Sequence, residues 1–115
     1  MNPAIDDFLP LAPAFLHILL ALAGEELHGY GIMQEINRQS EGRYKLGPGT
    51  LYDNLQRLGR QGLVESAGED PHDSRRRYYK LTSLGRRVIS AEISRLEDVV
   101  REARLHMPAS QRGQS

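Results

Sequence analysis

Apolar positions fall into four stretches with helical spacing and one with strand-like alternation. Leu11–Ala23 is apolar on nearly every side, interrupted only by Pro13 and His17. Pro13 suits the first turn of a helix, where a missing N–H costs nothing, and Gly24 can stop it. A helix buried all round is predicted there. A second helix is predicted over Gly29–Arg38, where Tyr30, Met33 and Ile36 space apolar groups three or four apart. Gly47-Pro48-Gly49 leads into a third, roughly Pro48–Gln61, with Leu51, Leu55 and Leu58 as its inward stripe. Gly62 ends it.

Leu63–Glu65 is predicted as a short strand, Ser66–Ser74 as a turn-rich link and Arg75–Thr82 as the return strand. Arg77, Tyr79 and Leu81 alternate with Arg76, Tyr78 and Lys80 across that strand. Thr82 or Ser83 can cap a last helix reaching about Met107. Within it Ile89, Ile93, Leu96, Val100, Ala103 and Met107 recur at alternating steps of four and three, a heptad seam. Leu84, Val88 and Ala91 can face the domain instead. The seam implies a partner subunit; the alternative is packing back onto the first helix. Met1–Asp7 reads as a loose terminus and 108–115 as a disordered tail.

The fold class is therefore mainly α with a small β-hairpin. Helix, helix, helix, hairpin and helix is the layout of a winged helix-turn-helix, residues 1–83, followed by a C-terminal dimerisation helix, 84–107. The third helix would enter the major groove and the hairpin would be the wing.

Composition removes several chemistries. With 115 residues, 39% of them hydrophobic, one small core is expected. The chain has no cysteine, so disulfides, thiolate metal sites and cysteine nucleophiles are excluded, which fits a reducing cytoplasm. Leu11–Ala23 falls short of the roughly 20 residues of a membrane span. No cofactor is expected.

Charge sharpens the DNA reading. Lys+Arg and Asp+Glu are both 15, yet Arg43–Arg87 holds ten basic residues against five acidic. Counterion release follows the phosphates neutralised locally, so a neutral chain with a basic centre can bind a polyanion. Gly49 and Thr50 open the third helix, where free N–H groups and the dipole attract phosphate; Thr50 can also serve simply as a cap. Asp53, Asn54 and Arg57 are candidates for base-edge contact, Arg57 by pairing with guanine and Asp53 by orienting a neighbour. Arg75, Arg76 and Arg77 repel one another unless an anion is near. That anion is either phosphate or Glu69, Asp70 and Asp73 in the same loop. Arg76 is the stronger DNA candidate, because Arg77 shares a face with Tyr79 and Leu81.

His28-Gly29-Tyr30, Gly47-Pro48-Gly49-Thr50-Leu51-Tyr52, the stretch from Leu58 through Gly62-Leu63, and Arg76-Arg77-Tyr78-Tyr79-Lys80-Leu81-Thr82 followed by Gly85 together resemble the PadR family of bacterial transcriptional regulators, in the short form with one C-terminal helix. The resemblance covers about residues 12–107. Gly31 departs from it, where relatives often carry an acidic or larger residue. The resemblance implies a homodimer on double-stranded, inverted-repeat operator DNA, usually as a repressor that ligands or stress signals release. It suggests that the Tyr52 hydroxyl meets a phosphate, against a core tyrosine. A small-molecule effector would have its pocket between the first and last helices at the dimer interface, lined by residues such as Phe15 and Leu19.

Other functions are weaker fits. A winged helix also serves as a protein-interaction module without DNA. His72 with Asp70, Asp73 and Ser74 has the letters of a hydrolase triad or metal site, but in one loop without an oxyanion-forming turn or a rigid orienting partner. His17 reads as a core or interface histidine and His28 as a local hydrogen-bonding residue.

Overall fold

The computed structural model describes residues 4–107; the tail predicted over 108–115 lies outside them. A 3-10 turn, Ile5–Phe8, precedes α1 (Pro13–Leu22), β1 (Leu27–His28), α2 (Gly29–Gln39), α3 (Pro48–Arg60), β2 (Val64–Asp70), β3 (Asp73–Leu81) and α4 (Ser83–His106). Pro13 stands in the first turn of α1, whose Ile18, Leu19, Ala21 and Leu22 are buried. The His28 ring caps α2, its Nδ1 accepting from the Gly31 N–H at 3.1 Å. The α3 stripe of Leu51, Leu55 and Leu58 closes over α1 and α2. Each such side chain taken out of water contributes about 1.5–3 kcal/mol.

The sheet is antiparallel in the order β1-β3-β2. The two-residue β1, which has no periodic signal in the sequence, pairs Leu27 with Tyr79 and His28 with Tyr78. The hairpin is longer than its sequence predicts. Pairing runs from Val64–Leu81 to Asp70–Asp73, leaving Pro71-His72 as a two-residue tip instead of a nine-residue link. Irregularities between Ser66 and Gly68 and between Glu69 and Asp70 absorb the residues that looked like turn.

The join between wing and α4 is tight. Thr82 Oγ1 donates to the Gly62 carbonyl at 2.5 Å and accepts from the Gly85 N–H at 2.9 Å, capping α4. A Cβ at Gly85 would lie 2.1 Å from the Leu63 carbonyl oxygen, so only glycine fits that approach.

Two expectations are corrected at the ends of the chain. Of the loose terminus predicted over Met1–Asp7, residues 1–3 lie outside the described residues, while Ile5–Asp7 belong to the 3-10 turn, whose Ile5 packs against the core with Phe8 and Leu9. The Leu11 N–H donates at 2.7 Å to Oε2 of Glu92, a carboxylate buried within α4. Ile89 is not on an outward seam; it is 5% exposed, packed with Val88 among the core residues of its own protomer. Ile89 and Ile93 are one turn apart on the same face; the packed part of the domain ends at Glu92, so the outward strip begins only at Ile93.

Candidate nucleic-acid interface

α3 presents its N-terminus without a side-chain cap. Gly47, not Thr50, occupies the cap position, and the first helical bond runs from the Leu51 N–H to the Gly47 carbonyl. Gly49 and Thr50 are exposed on the first turn, so the positive end of the helix dipole faces outward. Tyr52 is not a core tyrosine. It is 48% exposed, and its hydroxyl lies over the start of α2, where a Cβ at Gly29 would come within 2.2 Å of it. The glycine of His28-Gly29-Tyr30 is thus the space that the tyrosine of Gly49-Thr50-Leu51-Tyr52 fills.

Further along the same face, exposed Asp53 and Arg57 pair at 3.6 Å. An exposed pair of this kind is worth little and leaves Arg57 free to change partner. The Asn54 amide donates to the Thr50 carbonyl at 2.8 Å, so one of its donors serves the helix itself.

On the wing the three arginines differ. Arg75 is bound to Asp73, whose Oδ1 accepts from its N–H at 3.0 Å and from its Nε at 3.1 Å. Those bonds hold the Asp73 carboxyl below its ordinary range, with the charge of Arg76 adding to the effect. Arg76 lies 4.0 Å from Asp70 and 3.9 Å from Asp73. Arg77 is exposed, and among the described residues no acidic group comes within salt-bridge distance of it. The ranking from alternation is therefore altered: Arg77 shares the Tyr79 face, yet it is the unpaired cation. Tyr79 is half-buried, and burial pushes its phenol up, reinforced by Tyr52 and opposed by Arg77. Tyr79 thus lies near both Tyr52 and Arg77.

The remaining predicted residues sort as follows. Ile93, Val100 and Met107 are between 41% and 45% exposed; Ala103 is exposed and Leu96 half-buried. Ile93, Leu96, Val100 and Leu105 line an open groove along α4. Leu19 is fully buried in the core, so it cannot line an open pocket of this protomer, while Phe15 is half-buried against that core. His17 stacks on Tyr44 with ring centroids 4.1 Å apart. His72 sits at the wing tip, its N–H donating to Asp70 Oδ1 at 2.8 Å; among the described residues no three His, Asp or Glu side chains gather as a metal site requires. None of the helices among the described residues is long and apolar enough to cross a membrane.

Alternation along β3 points to Arg76; only the positions of Asp70 and Asp73 show that Arg77 is the unpaired one. Glu92 carried no sequence signal at all, because a lone glutamate in a polar helix reads as surface.

Comparison with known proteins gives a consistent result. The profile of the family described as Transcriptional regulator PadR-like family matches residues 18–91. The transcriptional regulator Rv3488 of Mycobacterium tuberculosis is 38% identical over 87 residues, covering 76% of this chain and 78% of that protein. A transcriptional regulator from Clostridium thermocellum has the same fold with a TM-score of 0.68 at 23% identity, over 83% of this chain and 90% of the other. A PadR family transcription regulator from Clostridium difficile also superposes with a TM-score of 0.68, at 22% identity, over 80% of this chain and 95% of its own. The matched family and these relatives are regulators, not enzymes.

Proposed function

The chain belongs to the PadR-like family of transcriptional regulators, and on that premise we propose that it is a homodimeric repressor of inverted-repeat operators, acting in the cytoplasm. The observations that carry this are an uncapped α3 N-terminus, the exposed Tyr52 and Arg57, and the unpaired Arg77 of the wing. α3 enters the major groove. Gly49, Thr50 and Tyr52 seat a phosphate at its start, and Arg57 reads a base edge with Asp53 and Asn54 beside it. Arg75, Arg76 and Arg77 follow the flanking backbone.

The DNA-binding unit runs through residue 83 and packs the first half of α4 into its core, leaving α4 beyond Glu92 as the dimerisation segment. Beyond Glu92, Ile93, Leu96, Val100, Ala103 and Met107 cover one another across a two-fold axis, which sets the recognition helices about 34–36 Å apart. A small-molecule effector that binds better to a differently spaced dimer releases the operator by shifting that population.

The test is selection of genomic DNA fragments on the purified protein, followed by titration at several salt concentrations. An enriched inverted repeat with half-sites about one helical turn apart, and binding that weakens steeply with salt, is the expected result. On that operator, Arg57→Ala relaxes preference at one position, costing about 1–3 kcal/mol there. Recovery of no enriched sequence at low salt would move the protein to the interaction-module class.

A further inference from the structure

The hairpin closes on an unusual pair. Asp70 and Asp73 are cross-strand partners flanking Pro71-His72, and like charges directly opposite one another destabilise a hairpin. Cations nearby offset that repulsion. Arg75 is bound to Asp73 through its Nε at 3.1 Å and its Nη2 at 3.4 Å, and Arg76 lies about equally far from both carboxylates. Arg75 is thus held by the tip through hydrogen bonds, Arg76 only at the outer limit of ion pairing with both carboxylates, and Arg77 by neither.

We propose that Asp70 and Asp73 are affinity-limiting residues of the wing, which compete with DNA phosphate for Arg75 and Arg76 and so hold down binding to non-operator sequence. This rests on the DNA-binding function proposed above. A phosphate can recruit Arg75 or Arg76 only by taking it from the Asp pair, which restores the repulsion across the tip. Operator DNA, fixed in register by α3, can sustain that exchange. A random duplex, held by phosphate contacts alone, relies on Arg77. Asp70 and Asp73 touch no DNA themselves; they are positioning residues acting through the arginines.

The experiment measures binding to a random-sequence duplex over a range of salt for wild type, Asp73→Asn, Asp70→Asn, Glu69→Gln and Arg77→Ala. Asp73→Asn keeps a side-chain acceptor for the Arg75 N–H but removes the charge that holds the guanidinium. It is expected to tighten random-duplex binding about two- to fivefold, the worth of one exposed ion pair, and to steepen the salt slope by about one. Asp70→Asn shifts both in the same direction. Glu69→Gln changes net charge equally; Glu69 faces Arg77 across the ladder but lies beyond salt-bridge distance of every guanidinium among the described residues, so it frees no paired arginine and leaves the slope near wild type. Equal gains from Glu69→Gln and Asp73→Asn would reduce the effect to net charge and overturn the inference. Weaker binding by Asp73→Asn would overturn it too, making Asp73 a support for a DNA-bound Arg75. An unchanged Asp73→Asn beside a normal wild-type slope and a shallower Arg77→Ala slope overturns it alone. A wild type with no salt-dependent DNA binding overturns the DNA-binding function, and this inference with it.

Discussion

The two halves of α4 are one continuous helix of 24 residues with one apolar rhythm, yet they live in different environments. Up to Glu92 the helix is part of the domain: Gly85 touches the Leu63 backbone, Val88 and Ile89 are in the core, and Glu92 holds the segment before α1. Past Glu92 its large apolar side chains, the half-buried Leu96 apart, stand in the open, from Ile93 to Leu105 at 73% exposed. The first half is stabilised by its own chain. The second has apolar surface that its own protomer does not cover, the usual mark of a surface that meets another molecule.

Substitutions separate the halves, and the largest effect belongs to the first. Ile89→Ala removes a buried branched side chain and is expected to cost about 2–5 kcal/mol in denaturant unfolding. A loss below about 0.5 kcal/mol would place Ile89 outside the core. Glu92→Ala leaves the Leu11 N–H without its acceptor and Arg95 without its 2.5 Å partner, at a cost of about 1–3 kcal/mol. Faster proteolysis ahead of α1 would accompany it if the carboxylate is what ties down that segment.

Acid makes a gentler test of the same contact. The Arg95 guanidinium, and then the Leu11 N–H, hold the Glu92 carboxyl below its ordinary value of 4.5 against the opposing effect of burial. A carboxyl that is more acidic folded than unfolded contributes stability in full above its unfolded pKa. That contribution is lost as pH falls through the folded pKa. The wild type should therefore lose stability below about pH 4.5, and Glu92→Gln should lose less over the same range. Parallel pH curves for the two proteins would remove Glu92 from the acid limb.

The smallest effect on folding, and the sharpest on assembly, is expected in the second half. Val100→Glu should change protomer stability by less than about 0.5 kcal/mol, while light scattering falls from dimer to monomer mass. An unchanged mass would leave the exposed strip of α4 without its proposed role.

How much of this was legible in the sequence varied with the kind of signal. α2, α3 and α4 begin where their caps and spacing predicted and end within a residue of expectation, because Pro48, Thr82 and the Leu51, Leu55, Leu58 stripe act locally. The sequence predicts the hairpin but shortens its strands. Gly68, Pro71 and a run of acids resemble a loop, and a wing wet on both faces shows no alternation of apolar and polar residues there. Residue type and position identify the candidate DNA residues. Their ionic partners, which distinguish Arg77 from Arg75 and Arg76, come from opposing strands.

The sequence by itself determined the four helices, the hairpin, the basic centre and the family, since periodicity, caps and local motifs are properties of neighbouring residues. Tertiary structure decided which apolar positions of α4 face inward, that Ile5–Phe8 is packed, that β1 exists and that Glu92 is buried. The physical reason is separation along the chain. Leu11 and Glu92 are 81 positions apart, and no local spacing encodes a contact made only when the chain has folded around its core.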